Sequence, residues 1–256
     1  MKARVNHLLR LFGTGLGFFM FGLGGVALAI LLLPVVWVFG RTDVARKRLG
    51  RAVVQGAFRC FLGLLRVCGV AEFHFEGFDA LQNRKGLLVI ANHPTLIDVI
   101  CLVARIDNAD CVVKQSLKRN PATYGPITAT GYLTNSGGED LIGKCVESIR
   151  QGNNLIIFPE GTRSVPGQLM VVQRGAANIA IEGNIDLTPV KITCEPSTLT
   201  KNQHWYDIPE RKFVMTLTVL DDIRLQDVLC DDLPRTRAAR KLSDQMKSVL
   251  SQESVE

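Results

Sequence analysis

Between Arg10 and Arg41 the chain carries no charged residue, and the interval is dense in Leu, Phe, Val and Gly. A helix rising 1.5 Å per residue over that length exceeds a hydrocarbon core of about 30 Å, which predicts a membrane-seated segment over residues 11–40 that spans with tilt or breaks near Pro34. Lys2, Arg4 and Arg10 precede it, and Arg41, Arg46, Lys47 and Arg48 follow. Basic residues at both borders select no orientation, and a hairpin re-entering one leaflet accounts for them. Ala27-Leu28-Ala29 has the small-x-small form of a signal-peptidase site. The apolar run nevertheless continues from Ile30 to Phe39, where a signal peptide would have ended, so retention is expected. Gly13, Gly15 and Gly17 imitate a phosphate loop in letters only, because no strand precedes them; close helix packing suits them better.

From Ala52 to Val70 apolar residues continue, while Gln55, Arg59 and Arg66 fall within about 40° of one another on a helical wheel. That pattern fits an interfacial amphipathic helix or a helix packed on a core. Residues 1–70 are therefore read as membrane-anchoring helices (apolar 11–40, amphipathic 52–70) and 71–256 as an α/β domain. The total of 256 residues suits one such domain with an appendage.

The formal charge of +6 suits an anionic partner. Much of the clustered charge borders the uncharged segment instead of alternating with aromatics on a soluble face, which favours membrane lipid over nucleic acid. Seven cysteines are scattered without a C-x-x-C pair, so neither a zinc centre nor a disulfide scaffold is expected, and the thiols read as reduced and mostly buried in a cytoplasmic domain.

After Ala71 short apolar runs alternate with helical patterns. Strands are expected at 73–76, 87–91, 111–113, 132–134, 155–158, 187–193 and 213–220, and helices at 97–104, 139–150, 171–181 and 236–250. Strand and helix alternation indicates an α/β fold with a mixed, partly parallel sheet flanked by helices.

The run Leu87 to Ile90 empties into Ala91-Asn92-His93-Pro94-Thr95-Leu96-Ile97-Asp98. Proline holds the residue before it extended, so His93 ends a strand and the helix starts later. On one continuous helix His93 and Asp98 would stand about 140° apart; a turn between them lets them meet. A neutral imidazole paired with a carboxylate can take the proton of an alcohol. Thr95-x-x-Asp98 is equally a helix-capping pattern. A second strand, Leu155 to Phe158, runs into Pro159-Glu160-Gly161-Thr162-Arg163-Ser164. Ligands bind beyond the carboxyl ends of strands in open α/β sheets, so the two turns can converge. Gly161 admits backbone N–H groups to an anion, Arg163 can hold phosphate, and Glu160 can accept from a hydroxyl.

Asn92-His93-Pro94-Thr95-Leu96-Ile97-Asp98 resembles the H-x-x-x-x-D box, and Phe158 to Ser164 the companion box, of the glycerophosphate and lysophospholipid acyltransferases, the family of bacterial lysophosphatidate acyltransferase. Lys114-Gln115-Ser116-Leu117 with Pro121 and Gly125, Gly131-Tyr132-Leu133, and Leu187-Thr188-Pro189-Val190 are similar to its other segments. The resemblance implies transfer of an acyl group from acyl-CoA or acyl carrier protein to a lipid hydroxyl, without a covalent acyl-enzyme, a bound cofactor or a metal. His93 would be the general base and Asp98 its orienting partner. Lys114, Glu160, Gly161, Thr162 and Arg163 would bind the acceptor, and Pro189 would lie on the acyl-donor side. Membrane seating at the cytoplasmic face is expected with it. The absence of a G-x-S-x-G elbow agrees with direct attack by the substrate hydroxyl.

One position departs from the family pattern. Asn135 stands where an arginine usually contacts the acceptor phosphate. A charge-assisted hydrogen bond to phosphate contributes about 1.5–3 kcal/mol, so its loss weakens the expectation of 1-acylglycerol-3-phosphate. The same chemistry on a non-glycerophosphate acceptor, as in the subset associated with aryl-polyene biosynthesis, is the alternative. A membrane-anchored acyl hydrolase ranks below it.

Overall fold

A computed structural model describes residues 2–135, 140–228 and 233–251. Helices α1 (Lys2–Phe39) and α2 (Asp43–Val67) form an antiparallel hairpin. Strands β1 (Ala71–Glu76), β2 (Leu88–Ala91), β3 (Ala109–Lys114), β4 (Leu133–Asn135), β5 (Asn154–Ile157), β6 (Leu187–Glu195) and β7 (Phe213–Val219) follow. They alternate with helices α3 (Asp98–Arg105), α4 (Pro121–Thr130), α5 (Leu141–Arg150), α6 (Gly175–Gly183), α7 (Leu225–Val228) and α8 (Arg235–Ser251). The seven expected strands are all present, in one sheet of order β1-β7-β6-β2-β5-β3-β4. Every pairing is parallel except β6 with β7.

Strand period separates two cores. Val89 and Ala91 of β2 face the layer holding Val54, Leu62 and Leu65 of α2 and Ile100 and Leu102 of α3. Leu88 and Ile90 face the opposite layer, with Val146 and Ile149 of α5, Ala177 and Ile179 of α6 and Leu242 and Met246 of α8. A sheet covered on both faces explains why its central strand, β2, is apolar at every position. The core of residues 71–256 thus includes α2 as a packed member. Arg51 of α2 makes a buried ion pair with Asp110 at 2.9 Å, donates to the Thr130 carbonyl at 3.1 Å, and meets the Asn108 side chain at 3.2 Å. Gln55 and Arg59 donate to the carbonyls of Ile106 and Ala104 at the end of α3.

α1 runs unbroken through Pro34, so the expected break there does not occur. It lies along the domain: Gly13 abuts Val70, Gly17 abuts Leu65, Gly25 abuts Ala122 and Val36 is buried. α4 was not expected, because Gly125 and Pro126 interrupt any helical pattern. It forms because the Asn120 side chain caps it, Pro121 occupies its first position and Gly131 ends it in a left-handed turn. Pro126 leaves the Ala122 carbonyl without a helical donor. That carbonyl packs against Gly25 so closely that a Cβ there would sit 1.8 Å from it. α6 starts at Gly175, later than expected, because Gln173 N–H is held by the Pro159 carbonyl at 2.7 Å. α5 begins after Asp140, which accepts from Gly143 N–H; Glu139, in the expected helix, lies outside the described residues.

Candidate active site

β2 ends at Ala91, and its last register partner on β6 is Val190. One residue on, the Asn92 carboxamide continues the ladder in side-chain form, donating to the Ile192 carbonyl and accepting from Ile192 N–H, both at 2.7 Å. This fixes the chain direction where His93 leaves the sheet. The turn 92–97 then brings Asp98, first residue of α3, back beneath the imidazole. His93 Nδ1 lies 2.8 Å from Asp98 Oδ2.

Asp98 is fully buried and its carboxylate accepts three hydrogen bonds, that from His93 included. Oδ2 also accepts Thr95 N–H at 2.8 Å, and Oδ1 accepts the Thr95 hydroxyl at 2.6 Å. The capping and catalytic readings of Thr95-x-x-Asp98 therefore describe one carboxylate performing both tasks. Burial pushes the Asp98 carboxyl above the usual carboxylate range, and the hydrogen bonds from His93 and Thr95 oppose that rise. His93 itself is 17% exposed and stacks on Phe158, with ring centroids 4.2 Å apart. With Nδ1 donating to Asp98, Nε2 is the atom left to accept a proton. It makes no hydrogen bond among the described residues.

The second turn is tied to the first through the backbone. Glu160 Oε1 accepts His93 N–H and the Ser164 hydroxyl, each at 2.9 Å, and Ser164 N–H donates to the His93 carbonyl at 2.7 Å. Gly161 adopts φ +67° to complete the turn, its N–H donating to the Phe158 carbonyl. Thr162 is exposed beside it. Arg163 Nη1 donates to the carbonyls of Leu199 and Thr200 at 3.0 and 2.9 Å. Leu96 N–H donates to the same Leu199 carbonyl, and Leu199 is held at φ +52°. Glu160 and Arg163 are thus both used in assembling the site.

Lys114 ends β3, two strands from β2, which is about 10 Å at the usual strand spacing. It is exposed and stands directly beside Asn135 in the parallel register. A cation therefore occupies the strand neighbouring the position where the arginine is missing. Pro189 is buried in the sheet level with Ile90, where β7 has already ended and no ladder donor is needed, and it is not a wall of the cavity beside His93.

That cavity, of about 480 Å³, was not legible in the sequence. It is lined by His93, Leu96 and Leu199 and walled by Phe21 of α1, Phe58 of α2 and Ile127 of α4. The imidazole stands between this apolar space and the polar turn 159–164. Burial and, in the same direction, the Asp98 charge keep the Cys101 and Cys194 thiols protonated, with Cys194 pushed up to about 12, so neither suits nucleophilic attack. Among the described residues no group of His, Cys, Asp and Glu is arranged to hold a metal ion. Asn92, Thr95, Phe158 and Ser164 were not singled out as site residues from the sequence. Their only signal is position within or beside the two turns.

Residues 72–193 match the model of the Acyltransferase family. The chain is 28% identical over 204 residues to the 1-acyl-sn-glycerol-3-phosphate acyltransferase of Saccharomyces cerevisiae, covering 76% of this chain and 65% of that one. It is 31% identical over 165 residues to the enzyme of that name from Helicobacter pylori, covering 62% and 66%, and 24% identical over 194 residues to the human beta form, covering 70% and 63%. The matched regions thus span just under two thirds of these relatives. In three dimensions the chain resembles the crystal structure of the 1-acyl-sn-glycerophosphate acyltransferase from Thermotoga maritima, with TM-score 0.68, 17% identity and full coverage of both chains.

Proposed function

We infer that this chain, which belongs to the acyltransferase family, transfers a fatty acyl group from a thioester to a hydroxyl of a lysophospholipid, with 1-acylglycerol-3-phosphate as acceptor. The observation that carries this reading is the buried His93–Asp98 pair at 2.8 Å, set between an apolar cavity and a polar turn. The acyl chain of the donor occupies the cavity. His93 Nε2 takes the proton of the acceptor hydroxyl as its oxygen attacks the thioester carbonyl, and Asp98 stabilises the imidazolium. Collapse of the tetrahedral intermediate expels the thiolate, which leaves protonated by the imidazolium. Burial of both nearby thiols supports direct attack over a covalent acyl-enzyme.

Lys114 beside Asn135, together with Gly161, Thr162 and the remaining N–H groups of Arg163, forms the acceptor side. Asn135 itself favours the second reading, the same chemistry on an acceptor that lacks glycerol phosphate. The acceptor reaches the site from a membrane. α1 is about 57 Å long at 1.5 Å per residue, and Leu8, Leu9, Phe12, Phe19, Leu23 and Ile30 on its outward side are exposed. Its packing along the domain from Gly13 to Val36 supports a helix seated in one leaflet, and the cytoplasmic leaflet is the reading proposed.

Purified protein incubated with labelled acyl-CoA or acyl carrier protein and a panel of lipid acceptors, with mass spectrometry of products, tests this function. Acylated 1-acylglycerol-3-phosphate is expected, and His93→Ala lowers turnover by about 10²–10⁴. Free fatty acid as the sole product, or near wild-type turnover in the variant, refutes it.

A further inference from the structure

We propose that a polar cleft at the opposite end of the strands from His93 binds the phosphate of an anionic phospholipid headgroup. The proposal shares with the functional reading only the seating of α1 in a leaflet, and does not depend on acyl transfer. The cleft holds about 470 Å³ and is built from the loops that precede β2, β3 and β5 together with the first turns of α2. His93 leaves the carboxyl end of β2, so the two sites are separated by the length of the strands.

The charges in the cleft are mostly accounted for inside the fold. Arg51 is paired with Asp110, Arg84 with Asp222 at 2.6 Å, and Lys47 with Asp43 at 2.7 Å. Asp107 accepts from Gln55 and lies 3.9 Å from Arg59. Arg59 and Gln55 also cover carbonyls at the end of α3, whose negative dipole end reaches this end of the strands. Two cations remain, Arg48 from α2 and Lys85 from the loop before β2. Both are exposed, both line the cleft, and neither makes an ion pair or hydrogen bond among the described residues. Cations from separate elements lining one polar hollow favour a shared anion.

The position of the cleft identifies the source of that anion. At the tip of the α1–α2 hairpin Trp37, Val38, Phe39 and Val44 are 63–75% exposed, and Val44 is itself a wall of the cleft. Arg46 lies over the Trp37 ring at 4.4 Å. An aromatic and aliphatic tip beside a cationic hollow is the arrangement of a protein edge seated at the headgroup level, with apolar groups in the acyl region and cations at the phosphates. No aromatic residue lines the cleft, so a nucleotide base would have no stacking surface.

The test compares flotation of the full chain with phosphatidylcholine vesicles and with vesicles containing phosphatidylglycerol. It uses wild type, the double variant Arg48→Gln/Lys85→Gln, and the control Arg41→Gln, which removes a cation at the hairpin tip outside the cleft. Each cation near an anionic surface contributes about fivefold, so the double variant should bind anionic vesicles about 25-fold more weakly while binding neutral vesicles unchanged. The control should lose no more than fivefold. Inorganic phosphate titrated in neutral detergent separates the sources: weak phosphate binding with strong preference for anionic vesicles supports a headgroup. Saturable phosphate binding without that preference overturns it, as does a double variant that binds anionic vesicles like wild type. Acyl transfer in neutral detergent reports the catalytic reading separately, because neither residue belongs to that site.

Discussion

Glu160 accepts the main-chain N–H of His93 at 2.9 Å, and the same oxygen accepts the Ser164 hydroxyl. The glutamate of the second turn therefore holds the strand end that carries the base. Two hydrogen bonds to a half-buried carboxylate are at stake, each of about 1.5–3 kcal/mol. Glu160→Ala is expected to lower kcat by about 10²-fold through displacement of the imidazole, whereas Glu160→Gln, which keeps an accepting oxygen, retains most of the turnover. Steady-state kinetics of the two variants checks this. Equal losses would assign Glu160's charge, instead of its geometry, to the reaction.

The Thr95 hydroxyl donates to Asp98 Oδ1 and opposes the effect of burial on that carboxyl. Its removal leaves burial less opposed, so the Asp98 carboxyl rises further and protonates at a higher pH. Thr95→Val should shift the acid limb of the kcat/KM profile upward in pH, with the plateau approached at higher pH. An unmoved or lowered acid limb contradicts the role of Thr95.

Arg163 draws Leu199 and Thr200 onto the site with one guanidinium nitrogen. Lysine's shorter, flexible stem and tetrahedral ammonium lack the rigid planar guanidinium that presents Nη1 to both carbonyls. Arg163→Lys is expected to lower kcat/KM by about 10–100-fold, the equivalent of about 1.5–3 kcal/mol. If positioning of Leu199 dominates, the loss falls on the KM for long-chain acyl donors; if phosphate binding dominates, it falls on the KM for the acceptor. Kinetics with each substrate varied in turn separates the two.

Gly25 and Gly125 let α1 and α4 touch backbone to backbone: a Cβ on Gly25 would meet the Ala122 carbonyl, and one on Gly125 would lie 2.4 Å from the Ala29 Cα. Gly25→Ala has no flexible side chain to displace. It should cost about 1–3 kcal/mol, visible in thermal unfolding, and should disturb the wall of the cavity beside His93. An unchanged Tm would mean that α1 and α4 separate freely.

Most strands were legible because their apolar runs are short and end in Gly, Pro, Asn or Asp, and the sheet buries its central strand on both faces. α4 was not, since its stability comes from an asparagine cap, a leading proline and close packing on α1 instead of any helical pattern. The continuity of α1 through Pro34 was hidden for a related reason: a single unsatisfied carbonyl is a small loss against contacts along the whole helix. Gln55 and Arg59 looked like the polar side of an interfacial helix, yet their hydrogen bonds go to the end of α3.

By itself the sequence determined the local chemistry: an uncharged apolar helix, alternating strands and helices, and two polar turns at strand ends, one bearing His93 and Asp98. These follow from side-chain periodicity and from backbone limits imposed by proline and glycine, which act over a few residues. Tertiary structure decided what stands opposite what. It set Glu160 against the His93 N–H, Arg163 against Leu199, Lys114 beside Asn135, and α1 along the wall of the cavity. Those relationships join residues far apart in the chain, and strand order and packing create them only once the whole sheet has formed.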